Sequence, residues 1–282
     1  MLHIVMDTAG DMPDEWIEVY GIHTIPINIH YGERTNLSGI DITNEEFYRM
    51  ADESGTIPKT SQPTPQQFVN LYERIAKPGD SILSIHITGK LSGTFHSAQL
   101  AARELAEKFR VEPFDSYSGT TVMGYMCREA RIMEQAGASV QSIVDHLDHI
   151  RQRVKIVLTL KTLEYVKMSG RVKTLQAVLA SVLNVKPIID LKDGILDITD
   201  RVRTRRKSMD YLLDYMIERF GNRPVNASVV HAQDPVAGSD LMNRVKETLN
   251  CRDLIFSELS IGIAANLGPG TIGIAAYPVE EE

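Results

Sequence analysis

Short apolar runs alternate with helical stripes along the first half of the chain. "LHIVM" (2–6) and "SILSIHI" (81–87) have the length and apolar content of buried strands. "IHTIPINIHYG" (22–32) is β-rich, and its Pro26 predicts an edge position or a bulge. "SGTFHSAQLAARELAEKF" (92–109) repeats Phe95, Ala98, Ala102, Leu105, Ala106 and Phe109 at helical spacing. Thr43 with Glu46 forms a capping box and predicts a helix start. Pro65 in a first helical turn makes Thr64 the expected cap of a second helix. "VEPFDS" (111–116) reads as the next strand, and two helices fill 119–153. This βα succession predicts a mainly parallel sheet with helices on both faces.

The pattern changes near residue 154. "KIVLTL" (155–160) reads as a strand, and "KTLEYVKMSGRV" as a short helix ended at Gly170. "VKPIIDLKDGILDITD" (185–200) reads as two strands joined by Asp193-Gly194, a strong hairpin signal. A basic stretch (201–207) leads into a helix, and "ASVVHA", "DLIFSEL" and "TIGIAAY" add strands. The expectation is a two-domain α/β protein: residues 1–155 as an N-terminal α/β domain and 156–282 as a C-terminal α+β domain with a mixed or antiparallel sheet. No repeat is evident, and the only biased segment is the closing Glu280–Glu282 run.

Composition narrows the functional classes. The 282 residues are 43% hydrophobic and 24% charged, enough to bury a core. A formal net charge of -7 argues against a general nucleic-acid binder. No apolar run reaches the roughly 20 residues of a membrane span, and "MLHIVMDTAG" lacks the features of an export signal. Cys127 and Cys251 lie far apart without metal-site spacing, so a reduced, cytoplasmic protein without a metal is expected.

Four stretches carry candidate chemistry, each with a plainer alternative. In "ITGKLSGT" (87–94) a strand gives way to a helix at Ser92, Gly93 and Thr94. Ser92 is an N-cap there, or an anion-facing hydroxyl beside first-turn amides, with Gly93 letting a ligand approach the backbone. The stretch is neither a P-loop nor a nucleophile elbow. "PKTSQPTP" (58–65) is a polar turn, or a stiff presentation of Thr60, Ser61 and Gln62 once Thr64 is spent as a cap. In "DTAGD" (7–11), Asp7 is expected to brace loop amides. "NLGPGTIG" (266–273) is a tight turn needing positive φ, or a loop that offers the Asn266 amide. His146 and His149 sit one helical turn apart without a third ligand, a spacing that fits a solvated face.

Together these stretches resemble the DegV family, whose characterised members are fatty-acid-binding subunits of bacterial fatty acid kinase. The resemblance is carried by "DTAGD", the intact "TSQP" at Thr60–Pro63, the intact "SGT" at Ser92–Thr94, "SGRV", "KPIIDLKDG", Arg203-Thr204 and "NLGPG". It implies one long-chain fatty acid buried between two domains, its carboxylate held by Thr60 and Ser92 with Gly93. Asn266 stands where the family has a histidine, and asparagine donates a hydrogen bond but carries no proton charge. Asp7, Ser61 and Gln62 would support the loops. Arg171 and Arg203 match basic surface positions linked to a kinase partner or to transient contact with anionic membrane. The resemblance implies a carrier without catalysis or cofactor of its own, whose bound carboxylate a separate kinase converts to an acyl phosphate. The competing reading is an enzyme acting on a small phosphorylated or carboxylated metabolite with Ser92 at its site. A third is a regulator whose lipid is a signal and whose partner face is 201–207.

Overall fold

The computed structural model describes residues 1–172 and 185–279; the Glu280–Glu282 run lies outside them. The chain forms two compact units, Met1–Arg151 with Ser260–Ala265, and Gln152–Leu259 with Asn266–Glu282. The fold class is α/β with two domains, the first built on a parallel sheet and the second on a mixed one.

The first unit begins with β1 (Leu2–Asp7), α1 (Asp14–Val19) and β2 (Ile22–Ile25). β6 (Ser81–His86) and β7 (Arg110–Asp115) complete a four-stranded sheet of order β2-β1-β6-β7, in which every pair is parallel. Between these strands lie β3 (Asn28–Tyr31), β4 (Arg34–Leu37), α2 (Asn44–Ser54), β5 (Lys59–Ser61) and α3 (Pro65–Ile75). β3, β4 and β5 form a separate antiparallel sheet of order β4-β3-β5. Pro26 marks the point where the 22–32 stretch leaves one sheet for another, because proline cannot donate to a continuing ladder.

α4 (Thr94–Glu104), α5 (Thr121–Gln135) and α6 (Val140–Arg153) follow. α4 is shorter than its apolar stripe predicts; residues 105–108 form turns instead, although Leu105 and Phe109 still join the core. α3 and α4 cover the sheet face that presents Val5, Ile25 and Ile82. α5 packs against β1 and β6. Both predicted caps form: Thr43 with Glu46 as a capping box at α2, and Thr64 at α3, where Gln67 completes a box that was not expected.

The second unit contains β8 (Lys155–Thr159), α7 (Glu164–Ser169), β9 (Lys186–Lys192), β10 (Ile195–Val202) and α8 (Arg205–Phe220). β11 (Val225–His231), α9 (Pro235–Thr248), β12 (Cys251–Glu258), α10 (Ile261–Leu267) and β13 (Ile272–Pro278) complete the chain, with α10 continuing from the first unit's segment into the second. Its sheet has the order β10-β9-β8-β13-β11-β12, antiparallel except for the β11·β12 pair. Asp193 (φ 51) and Gly194 (φ 78) turn the β9·β10 hairpin, both in the left-handed region such a turn requires. α7 ends at Gly170 in the left-handed conformation. α8 and α9 bury Leu212, Met216, Leu241 and Val245 against Val157, Val229 and Ile274. Among the described residues, no helix is long and apolar enough to cross a membrane.

Candidate functional site

The strand order places a switch point in the first sheet. From β1 the chain moves outward to β2 on one side, and from β6 it moves outward to β7 on the other. Loops leaving the carboxyl ends of β1 and β6 therefore diverge, which is where open α/β sheets bind ligands. The loop after β1 carries "TAGD", and the loop after β6 carries "ITGKLSG".

Asp7 ties these two loops together. It is fully buried, and its Oδ1 accepts from Ala9 N at 3.0 Å. Its Oδ2 accepts from Ile87 N at 2.9 Å and from His86 Nδ1 at 3.1 Å. Three donors compensate the burial of the carboxylate. Thr8 Oγ1 accepts from Ile27 N at 3.0 Å, fixing the same turn from its other side.

Asp11 fastens a third segment. Its Oδ2 accepts from Thr120 Oγ1 at 2.6 Å and its Oδ1 from Ser260 N at 2.8 Å. Burial pushes its carboxyl up to about 6; the bonds from Thr120 and Ser260 oppose that rise and the nearby Asp7 adds to it. Thr120 sits at φ 52, a strained conformation for a β-branched residue, and its N donates to Ala9 O at 2.8 Å. Asp7, Asp11 and Thr120 thus hold the edge from which the candidate residues project.

At the start of α4 the cap position belongs to Gly93, without a side-chain cap bond. This corrects the cap reading of Ser92, which stands one residue too early to reach the second or third amide. Ser92 Oγ instead accepts from Thr94 N at 3.3 Å and lies 2.8 Å from Thr94 Oγ1. The Phe95 and His96 amides are first-turn donors that helix geometry leaves without an intrahelical partner. Asp115 pins the preceding loop, accepting from Gly89 N at 3.2 Å on each oxygen.

The first half of "TSQP" is strand: Thr60 and Ser61 end β5, and Gln62 and Pro63 follow it. Thr60 pairs with Ile29 and Ser61 with Asn28 along β3. Ser61 Oγ lies 2.7 Å from His30 Nε2, whose Nδ1 lies 2.9 Å from Thr35 Oγ1. Asn28 Nδ2 donates to Gln62 O at 3.0 Å, and Asn28 Oδ1 accepts from Gln67 Nε2 at 3.1 Å. These contacts hold Ser61 and the Gln62 backbone rigidly. The Thr60 hydroxyl, half-buried, makes no hydrogen bond to another described residue.

TSQP and SGT meet directly. A Cβ on Gly93 would lie 2.9 Å from Gln62 Nε2, so the Gln62 amide fills the space where a side chain would stand. Gly93 was expected to leave that space for a ligand; in the structure Gln62 takes it. Thr60, in β5, and Ser92, in the loop before α4, thus belong to segments in contact with each other.

Asn266 lies in the second unit, near the end of α10. The turn after it uses Gly268 (φ 86) and Gly270 (φ 75), and Gly270 N donates to Ala232 O at 2.6 Å. Arg171 and Arg203 are exposed; Arg171 Nη1 bonds Ser169 O at 2.5 Å. Within the basic run, Arg205 turns to Asp234 at 3.1 Å, while Thr204 caps α8 by accepting from Lys207 N at 3.2 Å. No group of residues that could hold a metal ion occurs among the described residues. Ser92 has no histidine partner: His86 Nε2 is 2.7 Å from Ser84 Oγ, and its Nδ1 is engaged by Asp7. The edge therefore offers neutral hydroxyl and amide donors, which suit a bound anion better than nucleophilic attack.

The sequence matches, over residues 1–279, the family described as "Uncharacterised protein, DegV family". The chain belongs to the DegV family. A DegV domain-containing protein of Caldanaerobacter subterraneus is 31% identical over 274 residues, covering 96% of each chain. A DegV structure from Thermus thermophilus, described by its fatty acid binding, superposes with a TM-score of 0.90 at 29% identity, covering 99% of each chain. The Bacillus subtilis DegV, described as a fatty acid binding protein, superposes with a TM-score of 0.89 at 26% identity, also covering 99% of each chain.

Proposed function

We propose that this chain is a cytoplasmic carrier that binds a long-chain fatty acid by its carboxylate and presents that head group to a kinase partner for acyl-phosphate formation. One observation carries the proposal: the Thr60 hydroxyl has no partner among the described residues and stands at the end of β5, whose following residue Gln62 contacts the Ser92-Gly93 loop at the sheet's switch point. DegV relatives at 29% and 26% identity are described as fatty-acid-binding, which supports the choice of anion.

In this reading Thr60 Oγ1, Ser92 Oγ and the amides that follow Gly93 hold the carboxylate. Asn266 is the further donor, in place of the family's histidine. Neutral donors satisfy an anion when it is bound and leave no uncompensated buried cation when it departs. The tail supplies the gross affinity: about 0.8 kcal/mol per buried CH₂ gives a sixteen-carbon chain on the order of 12 kcal/mol before association costs. Arg171 and Arg203 form the face for the kinase or for anionic membrane. The carrier itself needs no base, cofactor or metal, because the partner performs the phosphoryl transfer.

Solvent extraction of the purified protein, followed by identification of the released fatty acids, tests the proposal. A stoichiometric long-chain fatty acid is the expected result. A protein that carries none and takes up neither added oleate nor palmitate overturns it.

A further inference from the structure

Behind Asp7 runs a hydrogen-bonded chain that the head-group reading does not use. Tyr72 OH donates to Ser84 Oγ at 2.8 Å, Ser84 Oγ meets His86 Nε2 at 2.7 Å, and His86 Nδ1 meets Asp7 Oδ2 at 3.1 Å. All four residues are fully buried. Val5, Asp7, Ser84 and His86 share one face of the sheet, because side chains alternate along paired strands. α3 brings Tyr72 and Phe68 onto that face, and the Phe68 ring meets the His86 ring edge-on at 5.0 Å.

The acceptor-only carboxylate at one end sets the order of protons in this chain. Tyr72 spends its only proton on Ser84. The Asp7 carboxylate only accepts, so His86 Nδ1 carries a proton toward it, and a neutral imidazole then accepts at Nε2 from Ser84. The order Asp–His–Ser has the connectivity of a hydrolytic triad. Here the serine has no exposed surface and already accepts from Tyr72, so it cannot attack a substrate. What the chain controls is Asp7, and Asp7 holds the Ala9 and Ile87 amides at the roots of both ligand-facing loops.

We propose that Tyr72, Ser84 and His86 form a positioning relay that aims the Asp7 carboxylate and so sets the 87–93 loop carrying Ser92 and Gly93. It rests on the fatty-acid reading for its ligand, but the setting of the loop can be read without any ligand. Ser84→Ala removes the hydroxyl partner of His86 Nε2 and leaves the ring anchored by Asp7 alone. Tyr72→Phe removes one oxygen and leaves ring packing in place. Ile82→Val trims the same apolar layer without touching a hydrogen bond and serves as control.

Three readouts on the full chain decide the matter. Nitrogen-15 spectra of histidine should show His86 Nδ1 protonated toward Asp7 in both proteins, with the Nε2 resonance shifted in Ser84→Ala as its hydrogen bond is lost. Amide exchange at Ala9 and Ile87 should quicken at least about tenfold in Ser84→Ala and Tyr72→Phe, but not in Ile82→Val. The oleate dissociation constant should rise about five- to tenfold in the same two variants and stay unchanged in the control. Exchange at Ala9 and Ile87 that stays at the wild-type rate, or that quickens equally in the control, overturns the relay. Should Ser84→Ala fail to fold, Tyr72→Phe carries the same readouts. A wild-type chain that binds no oleate refutes the fatty-acid reading, while the exchange data still decide whether the relay sets the loop.

Discussion

The Gln62 side-chain amide lies over Gly93, so that a Cβ added there would meet Nε2 at 2.9 Å and Cδ at 3.0 Å. Gly93 has φ -78 and ψ 2, which alanine adopts without strain. Gly93→Ala therefore acts through Gln62, pushing an exposed, flexible side chain rather than backbone. We expect stability to change by less than about 0.5 kcal/mol and oleate affinity to fall about tenfold as the two loops separate. Adding Gln62→Ala should recover most of that affinity, and a double-mutant cycle by calorimetry measures the coupling.

Thr60→Val keeps the shape and removes the hydroxyl. Because that hydroxyl has no partner among the described residues, unfolding stability should stay within about 0.5 kcal/mol of the wild type. A lost hydrogen bond to a charged carboxylate costs about 1.5–3 kcal/mol, so oleate should bind roughly tenfold or more weakly. Ser92→Ala should weaken binding similarly, with a small stability loss from the freed Thr94 amide. Displacement of a fluorescent fatty acid and thermal unfolding separate the two effects.

Asp11 predicts a pH signature. Its folded carboxyl is raised from 3.8 to about 6, so the folded state holds this proton where the unfolded state has lost it. Stability from this group is greatest below about pH 4 and declines as pH rises to about 6, by on the order of 3 kcal/mol. Asp11→Asn can still accept from Ser260 N and can donate to Thr120 Oγ1. Urea unfolding between about pH 4 and pH 7 should show a flatter stability profile for the variant, with no loss at pH 7. A profile as steep as that of the wild type would assign the slope to other groups.

Gly268 and Gly170 separate backbone strain from collision. Both sit at positive φ, 86 and 67, but a Cβ on Gly268 would meet Tyr165 Cδ2 at 2.7 Å, whereas Gly170 has nothing within 4 Å. Gly170→Ala should cost about 1 kcal/mol and Gly268→Ala about 2–4 kcal/mol in denaturant unfolding. Equal costs would mean that Tyr165 moves freely.

Asn266→His places a titratable side chain at the proposed further donor. In the wild type, oleate affinity should vary little between about pH 6 and pH 8, because asparagine does not titrate there. In the variant, affinity should rise as pH falls through the histidine range, since an imidazolium attracts the carboxylate.

What the sequence revealed follows from range of interaction. Thr43 with Glu46, the Thr64 cap, Gly170 and Asp193-Gly194 are local devices, and each forms as read. Pro26 announced an irregularity but not that β3 joins a different sheet from β2, because its partners lie in β4 and β5. Thr60 and Ser61 looked like part of a turn for the same reason: pairing of Thr60 with Ile29 leaves no local trace. Asp7 reads as loop support from its place in the motif, yet its link to His86 spans 79 positions. Asp11 and Ser260 are 249 apart, and nothing near either one signals the contact. Ser92 was misplaced by one residue as a cap, a shift that periodicity cannot resolve and cap geometry can.

A crystal structure of the chain loaded with oleate tests the central claim most directly. Carboxylate oxygens within hydrogen-bond reach, about 2.5–3.0 Å, of both Thr60 Oγ1 and Ser92 Oγ are the predicted result. A carboxylate bound away from both hydroxyls, or saturating oleate that leaves this edge empty, would contradict it.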